Sequence, residues 1–428
     1  MSHRDESTDF SVDLYDLVTP IAHAVDAMSA AVSDHHLRVA CLAQRLAREL
    51  ALPETTVSDV LLAAALHDIG AFSLDVKLDL MEFEDLQPGE HALAGYILLR
   101  DFEPFAVMAD MIRFHHVRWR HGQGSAQDGA AVPEGAHLIH LADRAAVQVA
   151  SGERVGDQLP RMRERLSAAA GEVFAPRHVE ALLDIPASDE VWAALGSGDL
   201  AAVFRRAAEP RPTELDLRQM LEFARLLCRV IDFRSEFTAT HSSGVAATAV
   251  ALARHVGFEE ADLELVEIAG YLHDLGKLAV PSEILEKTGK LTEDEWSVMR
   301  SHAHFSYQIL DQCPALDVVK TWGALHQERL DGSGYPFGYS GDELGLGTRV
   351  LAVSDVFTAL TEDRPYRQGM PRAAASACLQ QMVRGQVIDA DTVAVVEDHF
   401  EELDKIRQAA QAAAVREFAG FQAGLQGG

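Results

Sequence analysis

One ordered set of histidines and aspartates occurs twice along this chain, at nearly the same spacing each time. The first half carries His35 in HHLRV, His67 and Asp68 in LHDIG, His91 in EHALAGYIL, His115 and His116 in FHHVR, and Asp143 in HLADRA. The second half carries His241 in HSSGV, His273 and Asp274 in LHDLGK, His302 in SHAHFSYQIL, His326 in LHQER, and Asp355 in AVSDVF. The first step, His35 to His67 and His241 to His273, is 32 residues in both halves. The third, His91 to His115 and His302 to His326, is 24 in both. The second step is 24 residues against 29, and the last is 28 against 29. A lone histidine on an apolar helix is as often a core or surface residue as a ligand. An ordered ladder kept in step across two copies points to one duplicated unit with a chemical purpose.

Both ladders lie in sequence that reads as helix. Apolar residues recur at helical spacing in HHLRVACLAQRLARELAL and GVAATAVALARHVGF, where Ala and Leu dominate. The helical stretches run from about Val32 to Leu200 and from Leu217 to Ala409. At 428 residues the chain exceeds one ordinary helical core. The expected fold is all-α, with tandem helical bundles over residues 1–210 and 217–415. The polar stretch AEPRPTELD, Ala208 to Asp216, marks the boundary, either as a linker or as the opening of a joining helix. Ile406–Ala419 is expected to be a terminal packing helix and FQAGLQGG a frayed tail.

Charge then limits the partners. The formal net charge is −29, from 66 acidic and 37 basic residues, which argues against a DNA or RNA polymer and against an anionic membrane surface. A small anionic substrate is compatible if local arginines, lysines and metal ions reverse the field in the cleft. No apolar run of spanning length and no signal-peptide pattern occurs, so neither a membrane span nor export is expected. Cys41, Cys228, Cys313 and Cys378 form no CxxC, and reduced thiols in a cytoplasmic protein are expected.

Imidazole with carboxylate suits Fe, Mn, Zn or similar ions, whereas Mg or Ca favours an all-oxygen site. The adjacent His273 and Asp274, about 100° apart on a helix, can enter one cavity from different angles. The other ladder residues would arrive from neighbouring helices of a bundle. Two ions held this way would activate a water and neutralise phosphoryl oxygens. The chain has no GxSxG elbow and no GxxxxGK[ST] loop, so metal-assisted hydrolysis is the natural chemistry.

LHDLGKLAVPSEILEKTGKLTEDEW, HQERLDGSGYPFG, GTRVLAVSDVFTAL and TEDRPYR, in that order, resemble the HD-GYP family over Ile231 to about Arg367. The resemblance implies tandem HD-type helical bundles and a metal-dependent phosphodiesterase acting on a cyclic dinucleotide, cyclic di-GMP or 3′,3′-cyclic GMP-AMP. It implies two divalent ions per active site, Fe or Mn first, with Zn, Ni or Mg as alternatives. By the same resemblance His241, His273 and Asp355 would serve one ion, Asp274 would bridge, and His302 and His326 would serve the other. Lys277 would reach a substrate phosphate or the leaving oxygen, unless it is only a solvated lysine at a helix end.

The loop DGSGYP, Asp331 to Pro336, reads as a tight turn in which Gly332 and Gly334 permit unusual backbone angles and Pro336 stiffens the exit. Tyr335 either stacks on a base or packs the loop. Arg329 either pairs with Asp331 or Asp355 or binds substrate. Arg364 and Arg367 add the positive charge that a compact diphosphate ring needs.

The chain departs from the family pattern in several places. Gln327 replaces the second histidine of the usual HHE, leaving a neutral amide as the ligand there. Phe237 stands where trinuclear members carry a glutamate, with Glu236 beside it, so two ions are expected rather than three. The N-terminal half resembles a divergent HD domain with a full ligand set in His35, His67, Asp68, His91, His115, His116 and Asp143. There Ala71 replaces the lysine, and HGQG follows Arg118 in place of GYP. His36 competes with His35, and the duplicate spacing selects His35. The C-terminal half is therefore expected to catalyse and the N-terminal half to bind metal, modulate or pack. The alternatives are activity in both halves, a non-catalytic nucleotide-binding regulator, and an HD phosphohydrolase for another nucleotide. A homodimer is compatible with the sequence and not demanded by it.

Overall fold

The computed structural model describes residues 10–27, 34–72, 89–149, 155–197, 199–208, 213–234, 239–364 and 367–427. The chain divides into two compact units, one built on residues 14–213 and the other on 214–422. Both are helical, in line with the all-α expectation. The only strands among the described residues are two-residue pairs, Val12–Asp13 with Glu214–Leu215 and Ala126–Gln127 with Ala130–Ala131. No described helix is long and apolar enough to cross a membrane.

The N-terminal unit opens with α1 (Leu14–Asp26), and its ladder lies on or just after α2 (His35–Glu49), α3 (Glu54–Ala65), α4 (Glu90–Leu99), α5 (Ala106–Arg113) and α6 (Glu134–Ala146). Helices α7 (Val155–Ala169), α8 (Pro176–Asp184), α9 (Glu190–Ser197) and α10 (Leu200–Ala208) follow. Helix α2 packs against α3 and α6 and is buried on most of its surface, with Leu37, Leu42 and Leu46 at 0% exposure. Its many alanines let neighbouring helices close on several sides. Each fully buried Leu contributes about 1.5–3 kcal/mol relative to exposure.

The C-terminal unit repeats this plan. Helix α11 (Leu217–Asp232) is opened by a capping box in which Asp216 accepts from Gln219 N (2.7 Å) and Gln219 Oε1 accepts from Asp216 N (3.1 Å). The last residue of the expected boundary stretch is thus a helix cap, and residues 209–212 lie outside the described part. Next come α12 (His241–His255), α13 (Glu260–Leu272), α14 (Ser282–Leu285), α15 (Glu293–Asp311), α16 (Asp317–Gly323) and α17 (Leu346–Thr361). Helices α18 (Arg372–Arg384), α19 (Ala390–Asp398) and α20 (Phe400–Gly427) complete it. Helix α12 packs against both α13 and α17. The expected frayed tail is instead helical through Gly427, because Phe418 and Phe421 pack on Phe233 with ring centroids 5.1 and 5.3 Å apart.

Close helix contact explains the glycine after each His-Asp pair. A Cβ on Gly70 would lie 2.3 Å from His91 O, and one on Gly276 would lie 1.9 Å from His302 O. The backbone after each pair therefore rests directly on the helix bearing the third ladder histidine.

Two candidate metal centres

The His-Asp pairs do not lie within helices as their sequence suggested. Helix α3 ends at Ala65 and α13 at Leu272, so both pairs occupy the turn that follows. The imidazoles themselves finish these helices. His67 Nδ1 meets Ala64 O (2.8 Å) and His273 Nδ1 meets Gly270 O (2.7 Å). The same bond, to the carbonyl three residues earlier, is made by His115 to Ile112 (2.6 Å), His302 to Met299 (2.5 Å) and His326 to Gly323 (2.8 Å). Donation from Nδ1–H satisfies a carbonyl, four of the five at helix C-termini, and leaves Nε2 as the bare nitrogen facing the centre.

In the C-terminal centre Asp274 offers one oxygen to each side. Its Oδ2 lies 3.0 Å from His273 Nε2, and its Oδ1 lies 3.3 Å from His302 Nε2 and 3.9 Å from His326 Nε2. His241 Nε2 lies 3.0 Å from Asp355 Oδ1, and the ligand atoms of His241, His273 and Asp355 are all within 4.8 Å of one another. Gln327 reaches the same place with its amide nitrogen, which donates to His326 Nε2 (3.1 Å); the amide oxygen expected as a ligand would serve a cation there only after the amide turns over.

The N-terminal centre has the same plan. Asp68 Oδ2 is 3.2 Å from His67 Nε2, and Oδ1 is 3.2 Å from His91 Nε2 and 3.6 Å from His115 Nε2. His116 Nε2 lies 3.0 Å from His91 Nε2, and Asp68, His91, His115 and His116 form one tight ligand group. His35, His67 and Asp143 form another, with His35 Nε2 3.4 Å from Asp143 Oδ1. His36 turns its Nδ1 to Asp26 Oδ1 (2.5 Å), although its ring also lies close to His67 and Asp68.

Both sets fit divalent ions. Most of these separations exceed the ~2.7–2.9 Å of a charge-assisted hydrogen bond. They match instead the ligand-to-ligand edges around an ion with bonds of ~2.1 Å, about 3.0 Å in an octahedron and 3.4 Å in a tetrahedron. His67 Nε2, Asp68 Oδ1, Asp143 Oδ1, His273 Nε2 and His302 Nε2 are buried without a hydrogen-bond partner, an expensive state that a cation relieves. The electrostatics agree. Burial opposes charge on His241, yet the carboxylates of Glu362 and Asp355 outweigh it and raise the imidazole to about 10. Burial likewise disfavours charge on Asp274, but His273 and Lys277 hold it well below the usual carboxylate range.

Around the C-terminal centre, Lys277 Nζ is 2.6 Å from Asp274 Oδ2, so it is paired inside the site rather than solvated. The ring of Tyr335 stands edge-on to His302 at 6.2 Å, and burial pushes its phenol up to about 12. The Tyr335–Pro336 peptide is cis. Asp331 Oδ1 accepts from Ser333 N (2.9 Å), and Arg329 donates to Ser333 Oγ (3.4 Å) instead of bonding Asp331 or Asp355. Gly332 has the positive φ that the sequence suggested (75°), but Gly334 does not. It is needed for room, since a Cβ there would lie 2.5 Å from Arg329 N. Arg364 binds Glu362 Oε1 through Nε (2.8 Å) and Nη2 (2.6 Å), and Arg367 donates to Ala359 O, so both are engaged with protein groups. Phe237 and Glu236 lie outside the described residues.

Several residues of the site escaped the sequence analysis. Glu362 accepts from His241 Nδ1 (3.1 Å) and Gln411 Nε2 (2.8 Å), and its place in TEDRPYR, two turns past Asp355, was the available signal. Glu328 holds the loop by accepting from Phe337 N (2.7 Å) and Gly338 N (3.1 Å). Asp26 and Asp232 each stand nine residues before the first ladder histidine and accept from the backbone N of His36 (3.1 Å) and Ser242 (3.2 Å). Arg300 places its guanidinium 5.9 Å from the centroid of the Tyr335 ring. In the N-terminal unit Arg144 is buried against Asp143 Oδ2 (2.7 Å), and Arg113, Arg118 and Arg120 line a cavity of about 970 Å³ that reaches His116.

Comparison with known proteins agrees with this duplication. HD domain models match residues 32–147 and 225–392. The chain is 30% identical to 3′3′-cGAMP-specific phosphodiesterase 1 of Vibrio cholerae over 374 residues, 85% of this chain and 86% of that protein. It is 38% identical to the cyclic di-GMP phosphodiesterase response regulator RpfG of Xanthomonas campestris over 178 residues, 41% of this chain and 47% of that one. The crystal structure of a cyclic GMP-AMP specific phosphodiesterase of V. cholerae (V-cGAP3) shares the fold, with a TM-score of 0.61 at 24% identity, covering 95% of this chain and 98% of that one. With two HD domains laid over the two ligand ladders and a relative aligned along most of both chains, this protein belongs to the HD-GYP family of cyclic dinucleotide phosphodiesterases.

Proposed function

We propose that the C-terminal centre hydrolyses a phosphodiester bond of a cyclic dinucleotide, 3′,3′-cyclic GMP-AMP or cyclic di-GMP, with two divalent ions, Fe or Mn. His241, His273 and Asp355 would hold one ion, His302 and His326 with Gln327 the other, and Asp274 would span both. The observation that carries this proposal is Asp274 presenting one oxygen to each histidine group while Lys277 and the Tyr335 loop face the same centre. Neither the lysine nor that loop has a counterpart in the N-terminal half. When bound, the ions supply activation of the attacking water and neutralisation of the phosphoryl oxygens.

The residues of the chain would do the rest. Burial opposes the charge on Lys277, but the Asp274 carboxylate overcomes this and raises the ammonium above its usual range, so it stays protonated. On a flexible stem it can leave Asp274 to donate to the leaving ribose oxygen as the P–O bond breaks and water supplies the new one. Tyr335 offers a rigid face to a base, and Arg300 beside it adds cationic character at the rim. Four unbridged cysteines, three of them buried, fit a protein working in a reducing cytoplasm.

The test is product analysis with both cyclic dinucleotides in Mn²⁺ or anaerobic Fe²⁺, on the parent, Asp274→Asn and Asp68→Asn. Asp274→Asn is expected to lose at least about 100-fold in rate, as for removal of a group acting in the transition state. Asp68→Asn is expected to retain most of it. The opposite pattern would move catalysis to the N-terminal half. Activity in both halves is favoured by one observation, the arginine-lined cavity reaching His116, and a clear rate loss in both variants would establish it.

A further inference from the structure

We propose that the N-terminal unit holds a nucleotide site of its own, in which three arginines take the phosphate of a nucleoside 5′-phosphate. The site is the cavity of about 970 Å³ lined from α4, α5 and the loop that follows α5. That volume is near the upper end of the ~300–1,000 Å³ usual for small-molecule pockets. Arg113, Arg118 and Arg120 line it, and Glu90 and Asp128 are the acidic residues of its wall. Three positive charges against two negative ones leave the wall net positive, in a chain whose formal charge is −29. This is the local reversal of field that an anionic ligand requires.

The loop that carries two of these arginines is built rather than loose. Arg118 and Arg120 stand in RWRHGQG, the stretch that occurs where the other half has its GYP loop. Trp119, Arg120 and His121 donate their backbone N–H groups to Val173 O (2.9 Å), Glu172 O (2.8 Å) and Gly171 O (2.7 Å). Arg120 and His121 are held at φ of 46° and 54°, left-handed backbone that residues other than glycine adopt at a cost. Gly124 closes the turn, since a Cβ there would lie 1.9 Å from Arg118 O. Arg113 is fixed differently, with its guanidinium 4.9 Å from the centroid of the Phe114 ring and 5.1 Å from that of Tyr96. Packing on ring faces holds the guanidinium plane and leaves its N–H edges for an anion. Among the described residues no carboxylate pairs with any of the three arginines, so their charge is open to a ligand.

The lining also indicates the ligand class. Where the C-terminal loop turns an aromatic ring to its centre, this one supplies guanidiniums, whose fork matches phosphate oxygens. His116 lines the same cavity and belongs to the ligand group of Asp68, His91 and His115, so a cation held there would add to the attraction. Leu93 and Val117, both partly exposed, supply apolar surface that a base covers and a bare phosphate does not.

The experiment is calorimetric titration of the full chain in Mn²⁺ with GMP and AMP, and with guanosine and inorganic phosphate as controls. Asp274→Asn serves as the background, to disable the C-terminal centre, and is compared with the same chain carrying Arg118→Ala and Arg120→Ala. A nucleoside monophosphate is expected to bind the background protein, and the two arginine substitutions to weaken it at least about tenfold, the loss of a hydrogen bond between charged groups. Equal affinity in the two proteins, within twofold, or no binding to either, would overturn the proposal. Guanosine bound as tightly as GMP would overturn phosphate recognition, and inorganic phosphate bound as tightly would overturn the assignment to a nucleotide. Should the double substitution lose its helical spectrum, Arg118→Gln alone decides, with weaker binding expected and unchanged affinity the contrary result. Binding is read without turnover, so failure of the hydrolysis proposed for the C-terminal centre would leave this outcome standing.

Discussion

Replacing Glu362 by glutamine removes a charge but almost no volume from a buried position, and the loss should appear in metal affinity before turnover. Glu362 receives His241 Nδ1 at 3.1 and 3.2 Å on its two oxygens, Gln411 at 2.8 Å and Arg364 at 2.6 Å. It thereby fixes which nitrogen of His241 faces the centre and makes that nitrogen a stronger donor to a cation. A hydrogen bond to a charged group contributes about 1.5–3 kcal/mol and a neutral one about 0.5–1.5 kcal/mol, so the exchange costs roughly 1–2 kcal/mol at this ligand. Changes of this kind behind a metal ligand typically lower affinity about 10–100-fold, or ~1.4–2.8 kcal/mol, which overlaps that figure.

The assay is hydrolysis by chelator-stripped protein as a function of Mn²⁺, with calorimetric titration beside it. Half-saturation is expected to rise about tenfold in Glu362→Gln. At saturating Mn²⁺ the rate should return to within a few fold, because Glu362 touches His241 and not the reacting atoms. Arg364 loses a partner, but its side chain is 28% exposed and water can serve it. A half-saturation unchanged within twofold, in a protein with its normal helical spectrum, would refute the role of Glu362 in orienting His241.

Two other perturbations follow from the same geometry. Gln327→His restores a second imidazole where the N-terminal unit has His116, and half-saturating Mn²⁺ should fall roughly tenfold, about 1.4 kcal/mol; an unchanged Mn²⁺ titration would count against Gln327 as a ligand position. Asp389 caps α19 by accepting from Thr392 N (2.9 Å) and Oγ1 (2.7 Å) and also pairs with Arg349 (2.9 Å). Burial opposes its charge, but these bonds hold its carboxyl below the usual range. Its contribution is therefore full above the ordinary carboxylate range and is lost as pH falls through the lowered value. Asp389→Ala should cost about 1 kcal/mol at pH 7, and a melting difference from the parent that persists at strongly acid pH would contradict the charge-based account.

The ladders were legible in the sequence because each rung demands one residue type at one register. An imidazole has two nitrogens, and here one finds a carbonyl three residues back while the other faces the centre, so spacing alone picked out His67, His115, His273, His302 and His326. What the sequence concealed follows from the same bond. No glycine or proline announces the ends of α3 and α13, so the His-Asp pairs were placed within helices, whereas the histidines themselves cap those ends. Glu362 and Glu328 were hidden for another reason. Each serves a group distant in the chain, the imidazole of His241 or the backbone of Phe337 and Gly338, and only folding brings them together. Arg364 looked like free positive charge because its partner, two residues earlier, was not yet seen to be buried.

The charges behind the ligands separate the two centres more sharply than the ligand count does. On count alone the N-terminal set is richer, with His116 where the other half has Gln327. Yet Asp143, a member of that set, has its Oδ2 bound by the buried guanidinium of Arg144, which draws density from the carboxylate and repels an arriving cation. The residue after Asp355 is the uncharged Val356. Behind His241 stands Glu362, an anion that strengthens the imidazole as a donor. The positive charge near the C-terminal centre belongs chiefly to Lys277, whose stem lets it shift from Asp274 toward an incoming phosphate. Fixed charge therefore favours an ion at His241, His273 and Asp355 over one at His35, His67 and Asp143, in line with the proposal that the centre with one histidine fewer is the catalytic one.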